Sequence, residues 1–459
     1  MRQRFPQERV AIAAAFMVHG AVSGGLAARL PAISGHLGLS ATTLGVALLM
    51  PAVGSVSTMP FTGWVVHRLG ARSATRLLLT LWGAALVLPA LAGNLWTLVA
   101  AFVVYGAAAG SSDVAMNAQA VEIERRAGRS IMSGLHGLWS VGSFAGSGVG
   151  ALAALFGVGY RPHLTAAAIV LVLLAALAGH ALPETSSTAE AADPARDPAT
   201  RDTTPVSLAA PGSTAPSLTA PGSTAPGSTA PGLGRRSEAV AHDIAAESQL
   251  STAEAVIADP VIAEPAGAGD PPAPRRFSLP TGTILLLGLV AFCAAFAEGS
   301  GMDWSAVYLN RVSGASQAVA ASAYTTFACV MAIMRFSGDW LVGRIGPVRT
   351  VRAGGVLAVA GGVLIVAARG AAPAFVGFAL LGAGVATVIP LAFTAAGRIG
   401  PHPGQAIAGV ATVSYGASLV GPGLIGAIAG AASLPVAFTV VALLCVFIAL
   451  GAGLMRRDA

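Results

Sequence analysis

GWVVHRLGARSATR, from Gly63 to Arg76, returns in altered form as DWLVGRIGPVRTVR, from Asp339 to Arg352. The offset is 276 residues, and it lays Arg68, Gly70 and Arg76 on Arg344, Gly346 and Arg352. Each copy is a short basic connection, carrying one glycine, between two long apolar runs. A connection of this kind, present twice at one spacing, reads as an internal duplication. In each copy it is the loop that follows the second apolar run.

Moving outward from these loops, the chain breaks into twelve apolar runs. The first six lie near 10–33, 41–66, 74–93, 95–120, 131–156 and 163–182, and the second six near 280–310, 316–343, 349–369, 372–398, 404–430 and 433–455. About 20 apolar residues in a helix span ~30 Å of hydrocarbon, so each run is long enough to cross a bilayer. Across 459 residues, 55% are hydrophobic and 10% charged, too little charge to cover a soluble surface. The 57 glycines fit helices that pack through small residues in lipid. The fold class expected is therefore all-α, with twelve transmembrane helices in two six-helix pseudo-repeats.

Charge placement tests this count. All 26 basic residues are arginine. With the N-terminus inside, 21 arginines collect on the cytoplasmic side and four (Arg29, Arg161, Arg311, Arg369) on the other, with Arg335 inside a span. That asymmetry follows the positive-inside rule and predicts a multi-pass protein of the cytoplasmic (inner) membrane with both termini cytoplasmic. The net charge of +6 is thereby topological, and nucleic acid is not an expected partner. Cys293, Cys329 and Cys445 each fall inside an apolar run, which argues against a disulfide framework or a metal site. The first run is too long for a signal-peptide core and is expected to remain as a span.

Between the repeats lies a different composition. Residues 184–278 contain APGSTAPSLTAPGSTAPGSTAPG (Ala210–Gly232) and twelve of the chain's twenty acids. Such a stretch buries too little apolar surface to offset the entropy of ordering, so it reads as a disordered cytoplasmic linker, with 238–257 as a short helix inside it. The expected organisation is a half at 1–183, the linker at 184–278, and a half at 279–459. Parallel six-span repeats occur in secondary transporters, and transport of a small solute is the expectation they set.

The loop at Gly63 resembles the signature of the major facilitator superfamily, G-x-x-x-D-R-x-G-R-R, with Gly63, Arg68, Gly70 and Arg72 in register. His67 stands where the family has its acid, which helps latch the halves on the cytoplasmic side; Asp339 of the second copy is the candidate substitute. ARLPAI (Ala28–Ile33), GSSDVAMNAQ (Gly110–Gln119), HGLWSVGSFAGSGVGA (His136–Ala151), FAEGSGMDW (Phe296–Trp304) and VGPGLIG (Val420–Gly426) resemble the bacterial YbjJ-type branch, distantly similar to fucose permease. The resemblance covers both halves and excludes the linker. It implies alternating access without a cofactor.

Ionisable groups inside spans cost ~2.5–3.5 kcal/mol each at a helix centre on insertion scales, so each is a functional candidate. Asp113 and Asn117 are one turn apart on the fourth span. By resemblance to sugar–proton symporters with an acid-x-x-x-Asn pattern there, Asp113 would take the proton and Asn117 contact substrate. His136 comes at similar depth on the antiparallel fifth span; it either shares a proton with Asp113 or hydrogen-bonds a backbone carbonyl. Glu298 is the second coupling candidate. Asp303, five residues on, shares its face only if Gly299 and Gly301 break the helix. Trp304 and Tyr308 are candidates for an aromatic wall, or for interfacial anchors. His19, mid-way along the first span, faces the cavity or is a satisfied core histidine. Arg29 either snorkels or pairs with Asp303 as an outer gate. Gly142, Gly146 and Gly150 form a small-residue ridge expected to pack closely, as does Gly421-Pro422 with Gly426.

The leading expectation is a monomeric proton-coupled permease for a small solute. Proton-driven export of a hydrophobic compound is the rival, weakened because Ser147 follows Gly146 where such exporters carry Gly-Pro on the fifth span. A different class is a non-transporting sensor or scaffold with the linker as its output. No metal-binding histidine motif, nucleotide loop or serine elbow is present to suggest an enzyme.

Overall fold

The computed structural model describes residues 5–127, 131–183, 282–399 and 403–456. The linker read at 184–278, with its short helix at 238–257, lies outside the described residues. Among the described residues, twelve helices are long and apolar enough to cross a bilayer. The first six spans are Gln7–His36, Ala41–Leu69, Ala71–Leu91, Leu95–Arg126, Gly134–Leu155 and Tyr160–Ala181. The seventh to twelfth are Gly282–Arg311, Gln317–Ile345, Pro347–Ala367, Ala371–Ala396, Gln405–Ala431 and Leu434–Met455. The end of the bundle that carries Gln7 and Met455 is called the terminal face below, and its opposite the far face.

The duplication is visible in backbone detail. The second and eighth spans are both 29-residue helices, and at each start a serine side chain accepts from a backbone N–H three residues on: Ser40 from Thr43, Ser316 from Val319. Such a cap satisfies an N–H that the first turn leaves without a partner. At their other ends stand Gly70 (φ 77°, ψ 149°) and Gly346 (φ 81°, ψ 160°). That region is open essentially to glycine alone, which is why the quoted loops keep it at both places. Two residues before each glycine an arginine lies over a tryptophan ring, Arg68 over Trp64 at 5.4 Å and Arg344 over Trp340 at 4.8 Å.

Helix pairing repeats as well. Spans one and five, two and four, and three and six pack together in the first half; seven and eleven, eight and ten, and nine and twelve do so in the second. The one–five crossing interlocks glycines from both helices. A Cβ on Gly20 or Gly24 would collide with the backbone of Trp139 or Ser143, and one on Gly142 or Gly146 with that of Met17 or Ala21. Helices in lipid gain from such approach through dispersion, because lipid provides no hydrophobic drive between them.

Three spans are interrupted: the first between Ala27 and Leu30, the third at Leu86, and the tenth between Val385 and Val388. In each case the helix resumes with a proline, Pro31, Pro89 or Pro390, inside its new first turn, where a missing N–H costs little. The seventh span is not among them. It runs as one helix from Gly282 to Arg311, so Gly299 and Gly301 do not break it and the condition for Glu298 and Asp303 to share a face is not met. Gly301 instead makes room for the Phe327 ring, whose Cε2 would lie 2.5 Å from an added Cβ.

The halves meet along two crossings, spans five with eight and spans two with eleven. The second of these is tightest towards the far face. A Cβ on Gly45 would sit 2.6 Å from Gly426 Cα, and one on Gly430 would run into Thr42. At the same face Arg311 Nη2 donates to the Leu39 carbonyl at 2.7 Å.

Candidate functional site

The fifth–eighth crossing carries polar groups to the middle of the bundle. Arg335, on the eighth span, places Nη2 2.8 Å from Glu298 Oε1 and 3.0 Å from Oε2 on the seventh. Its Nη1 donates to Ser140 Oγ of the fifth span at 2.7 Å, and Ser140 Oγ is also placed to donate to the His136 carbonyl at 3.3 Å. Both charged side chains are largely buried, 17% exposed for Arg335 and 22% for Glu298. An ion pair this far from water persists because each charge would be worse off alone. Higher up the same crossing, Ser143 Oγ and Tyr324 Oη share a hydrogen bond of 2.6 Å between the halves.

These residues border a small cavity. Trp139, Ser140 and Ser143 line it from the first half; Glu298, Met302, Tyr324, Phe327, Ala328 and Met331 line it from the second. The Trp139 indole is fixed from behind. Its Nε1–H donates to His19 Nδ1 at 3.0 Å, while His19 Nε2 lies 3.4 Å from the Ala109 carbonyl. A neutral imidazole with its proton on Nε2 satisfies both contacts. The ring also stacks on Trp82 at 5.2 Å, and the Trp82 indole donates to the His19 carbonyl.

Several candidates read from the sequence fall in different places. Glu298 borders the cavity. His19 does not: it is buried behind Trp139 with both ring nitrogens engaged. Tyr308 is fully buried in the second half, its hydroxyl on the Ile365 carbonyl at 2.7 Å and its ring edge-on to Phe378 and Phe438. It builds no wall. Trp304 is equally buried and its Nε1 has no hydrogen-bond partner among the described residues. Asn117 is buried with its Oδ1 in the same condition. Asp113 is half-buried on the fourth span, and His136 stands edge-on to Phe16 at 5.4 Å.

Asp303 is half-buried on the seventh span, is not among the residues that line the cavity, and makes no hydrogen bond or ion pair among the described residues. Arg29 does not reach it; Arg29 donates to His163 Nδ1 and to the Val158 carbonyl within its own half. At the terminal face, Asp339 and His67 are exposed, and Asp339 makes no ion pair among the described residues. Arg72 donates to the His180 carbonyl at 2.7 Å, tying the third span to the sixth. The sequence reading passed over Arg335, Ser140, Ser143, Tyr324 and Trp139. Arg335 had a usable signal: a charge inside a span, the same mark that singled out Glu298.

Two six-span units paired in the same order, with a small cavity lined from both, are the architecture of a multi-pass membrane transporter. The Major Facilitator Superfamily sequence model matches residues 12–401, and the chain belongs to that family. It is 30% identical over 451 residues to an uncharacterized MFS-type transporter of Yersinia pestis, covering 98% of this chain and 96% of that one. It is 29% identical to an uncharacterized transporter of Sinorhizobium fredii over 97% of both chains, and 26% identical to the membrane protein MosC of Rhizobium meliloti over 92% and 84%. Among solved structures, the nucleoside transporter NupG superposes with a TM-score of 0.62 at 11% identity, covering 100% of each chain. The human organic anion transporter MFSD10 does so at 0.57 and 16% identity, covering 98% of this chain and 99% of that one. At such identities these two likenesses concern the fold. The protein is a non-enzymatic membrane transporter that binds a small-molecule substrate.

Proposed function

We propose that this chain is a proton-coupled secondary transporter of the cytoplasmic membrane, working by alternating access with the terminal face in the cytoplasm. The arginine asymmetry of the sequence supports that orientation. The observation that carries the coupling is the Glu298–Arg335–Ser140 connection, which ties an intramembrane acid to the opposite half through one guanidinium. Protonating Glu298 removes the counter-charge of Arg335. The guanidinium then seeks another acceptor, and its bond to Ser140 is what the two halves exchange as they rock. Asp113, on the fourth span, is the second proton-carrying acid in this reading, with His136 at a similar depth. The motifs shared with the YbjJ-type branch support a place in that branch.

The test is flux in proteoliposomes, screened across sugars, organic acids and hydrophobic cations with and without an imposed pH gradient. Gradient-driven accumulation of at least one class is expected, and Glu298→Gln and Asp113→Asn should each uncouple it. If both variants accumulate substrate as the parent does, proton coupling through these acids is wrong.

A further inference from the structure

We propose that the cavity between the halves holds a single water, bonded to the Ser143–Tyr324 pair on one side and to the Glu298 carboxylate on the other, and that this water delivers the proton to Glu298. The proposal deepens the proton-coupling reading above and rests on it. The size of the cavity and the hydrogen atoms of its lining point the same way.

The cavity has room for about one water molecule, and a buried water is held by roughly two to four polar partners. Ser140, Ser143, Glu298 and Tyr324 bring side-chain oxygen to the lining. Ser140 has no proton to spare. Its Oγ accepts from Arg335 Nη1 at 2.7 Å, and its own O–H is placed to donate to the His136 carbonyl. The Trp139 N–H is likewise spent on His19. The Ser143–Tyr324 pair is different. Two hydroxyls joined by one hydrogen bond of 2.6 Å use only one O–H between them. Whichever oxygen donates, the other keeps an O–H with no acceptor among the described residues. Both residues are buried, so leaving that proton unbonded is costly unless something in the cavity accepts it.

Glu298 has the complementary surplus. Both its oxygens meet the same Arg335 Nη2, at 2.8 and 3.0 Å, whereas an ionised carboxylate accepts at about four positions. A water that takes the spare O–H and donates to Glu298 completes both sides. A metal ion there would sit beside the Arg335 guanidinium, and like charge opposes it. Arg335 and Tyr324 face Glu298 from the eighth span, while His136 of the fifth stands edge-on to Phe16 and His19 of the first lies behind Trp139. The tenth, eleventh and twelfth spans carry no charged residue, and their titratable ones are Tyr415 and Cys445. A hydronium ion from solvent gives its proton to this water, which passes one of its own to a Glu298 oxygen. The water ends as water, and the carboxylate becomes a carboxylic acid. Ser143 and Tyr324 act as positioning residues, one from each half, so the water is held only while spans five and eight are in contact.

The experiment is infrared difference spectroscopy between high and low pH on the purified full chain in nanodiscs, in ordinary and in oxygen-18 water. The parent should show a carboxylic-acid band that Glu298→Gln removes, and with it a water O–H stretch that moves in the labelled solvent. The double variant Ser143→Ala/Tyr324→Phe should keep the carboxylic-acid band and lose the water stretch. After a pH jump, its carboxylic-acid band should rise at least roughly tenfold more slowly than the parent's. Removing both hydroxyls leaves neither without a partner, so the double variant should keep the parent's thermal unfolding profile, which separates a lost water from misfolding. The proposal is overturned, with the coupling reading intact, if the Glu298 band appears without a label-sensitive water stretch. It is overturned equally if the double variant keeps that stretch or protonates at the parent's rate. If no carboxylic-acid band depends on Glu298, coupling through that acid fails and the water's role fails with it.

Discussion

The two crossings between the halves are images of one another under the duplication, yet they are built from opposite chemistry. Spans two and eight correspond residue for residue at the 276-residue offset, and each crosses one helix of the other half. Where the eighth span has Tyr324 and Arg335, the second has Leu48 and Met59; where the second has Gly45, the eighth has Ala321. The fifth–eighth crossing is thus held by directional hydrogen bonds around a cavity. The second–eleventh crossing is closest at backbone, where Gly45 meets Gly426. Opening the glycine contact separates backbone from backbone, whereas opening the other requires Arg335 and Tyr324 to find new hydrogen-bond partners. One is suited to part and close again; the other to register what is bound.

This contrast can be broken most sharply at Arg335. Arg335→Gln leaves Glu298 in a largely buried site without its counter-charge, and should cost about 2–3 kcal/mol, somewhat below the ~3–5 kcal/mol of a fully buried pair. Thermal unfolding of detergent-purified protein measures it. Adding Glu298→Gln should recover more than half of the loss, and a double variant no more stable than the single would refute the ion pair as a structural element.

Gly426→Ala should come next, at about 1–3 kcal/mol, because the new methyl meets Gly45 Cα and overpacks the contact. Unlike Arg335→Gln, it should also loosen the far face. A cysteine placed at Leu39 should then react faster with a membrane-impermeant maleimide; unchanged labelling would mean that the glycines are not what closes that face. Tyr324→Phe and Ser143→Ala should each cost about 0.5–1.5 kcal/mol, and the pair together no more than about the larger of the two. Gly423→Ala should be smallest, within about 0.5 kcal/mol, since its Cβ would reach Leu49 at an ordinary 3.8 Å. Equal effects at Gly423 and Gly426 would dissolve the claim that one close approach defines this crossing.

The spans were legible because bilayer thickness imposes a length on apolar runs, and every expected limit lies within six residues of the structure's. The repeat was legible because a turn open to glycine alone left Gly70 and Gly346 in identical places. The ridge of Gly142, Gly146 and Gly150 was readable for a related reason: close approach needs missing side chains, and there a Cβ would meet Met17, Ala21 and Ala28 in turn. The site was less legible. Nothing local to Glu298 says that Arg335, 37 residues away, is its partner, because that depends on how spans seven and eight rotate against each other. Tyr308 and Trp304 looked like wall residues by type, but their side of the helix faces the second half's own core. The Gly-Ser-Gly run suggested a broken helix; on the seventh span the missing side chain accommodates a neighbouring ring instead.

The paired Trp64–Arg68 and Trp340–Arg344 contacts have a consequence for the surrounding lipid. Both tryptophans are about 62% exposed near the terminal ends of equivalent helices, where indole and guanidinium favour the headgroup layer. Each half is thus moored to the bilayer by its own anchor at one level of the terminal face. A change in acyl-chain length acts on the two moorings alike and raises or lowers the halves together, so thickness is felt at the far face, where Gly45 and Gly426 meet. Membrane thickness becomes in this way a lever on the seal itself.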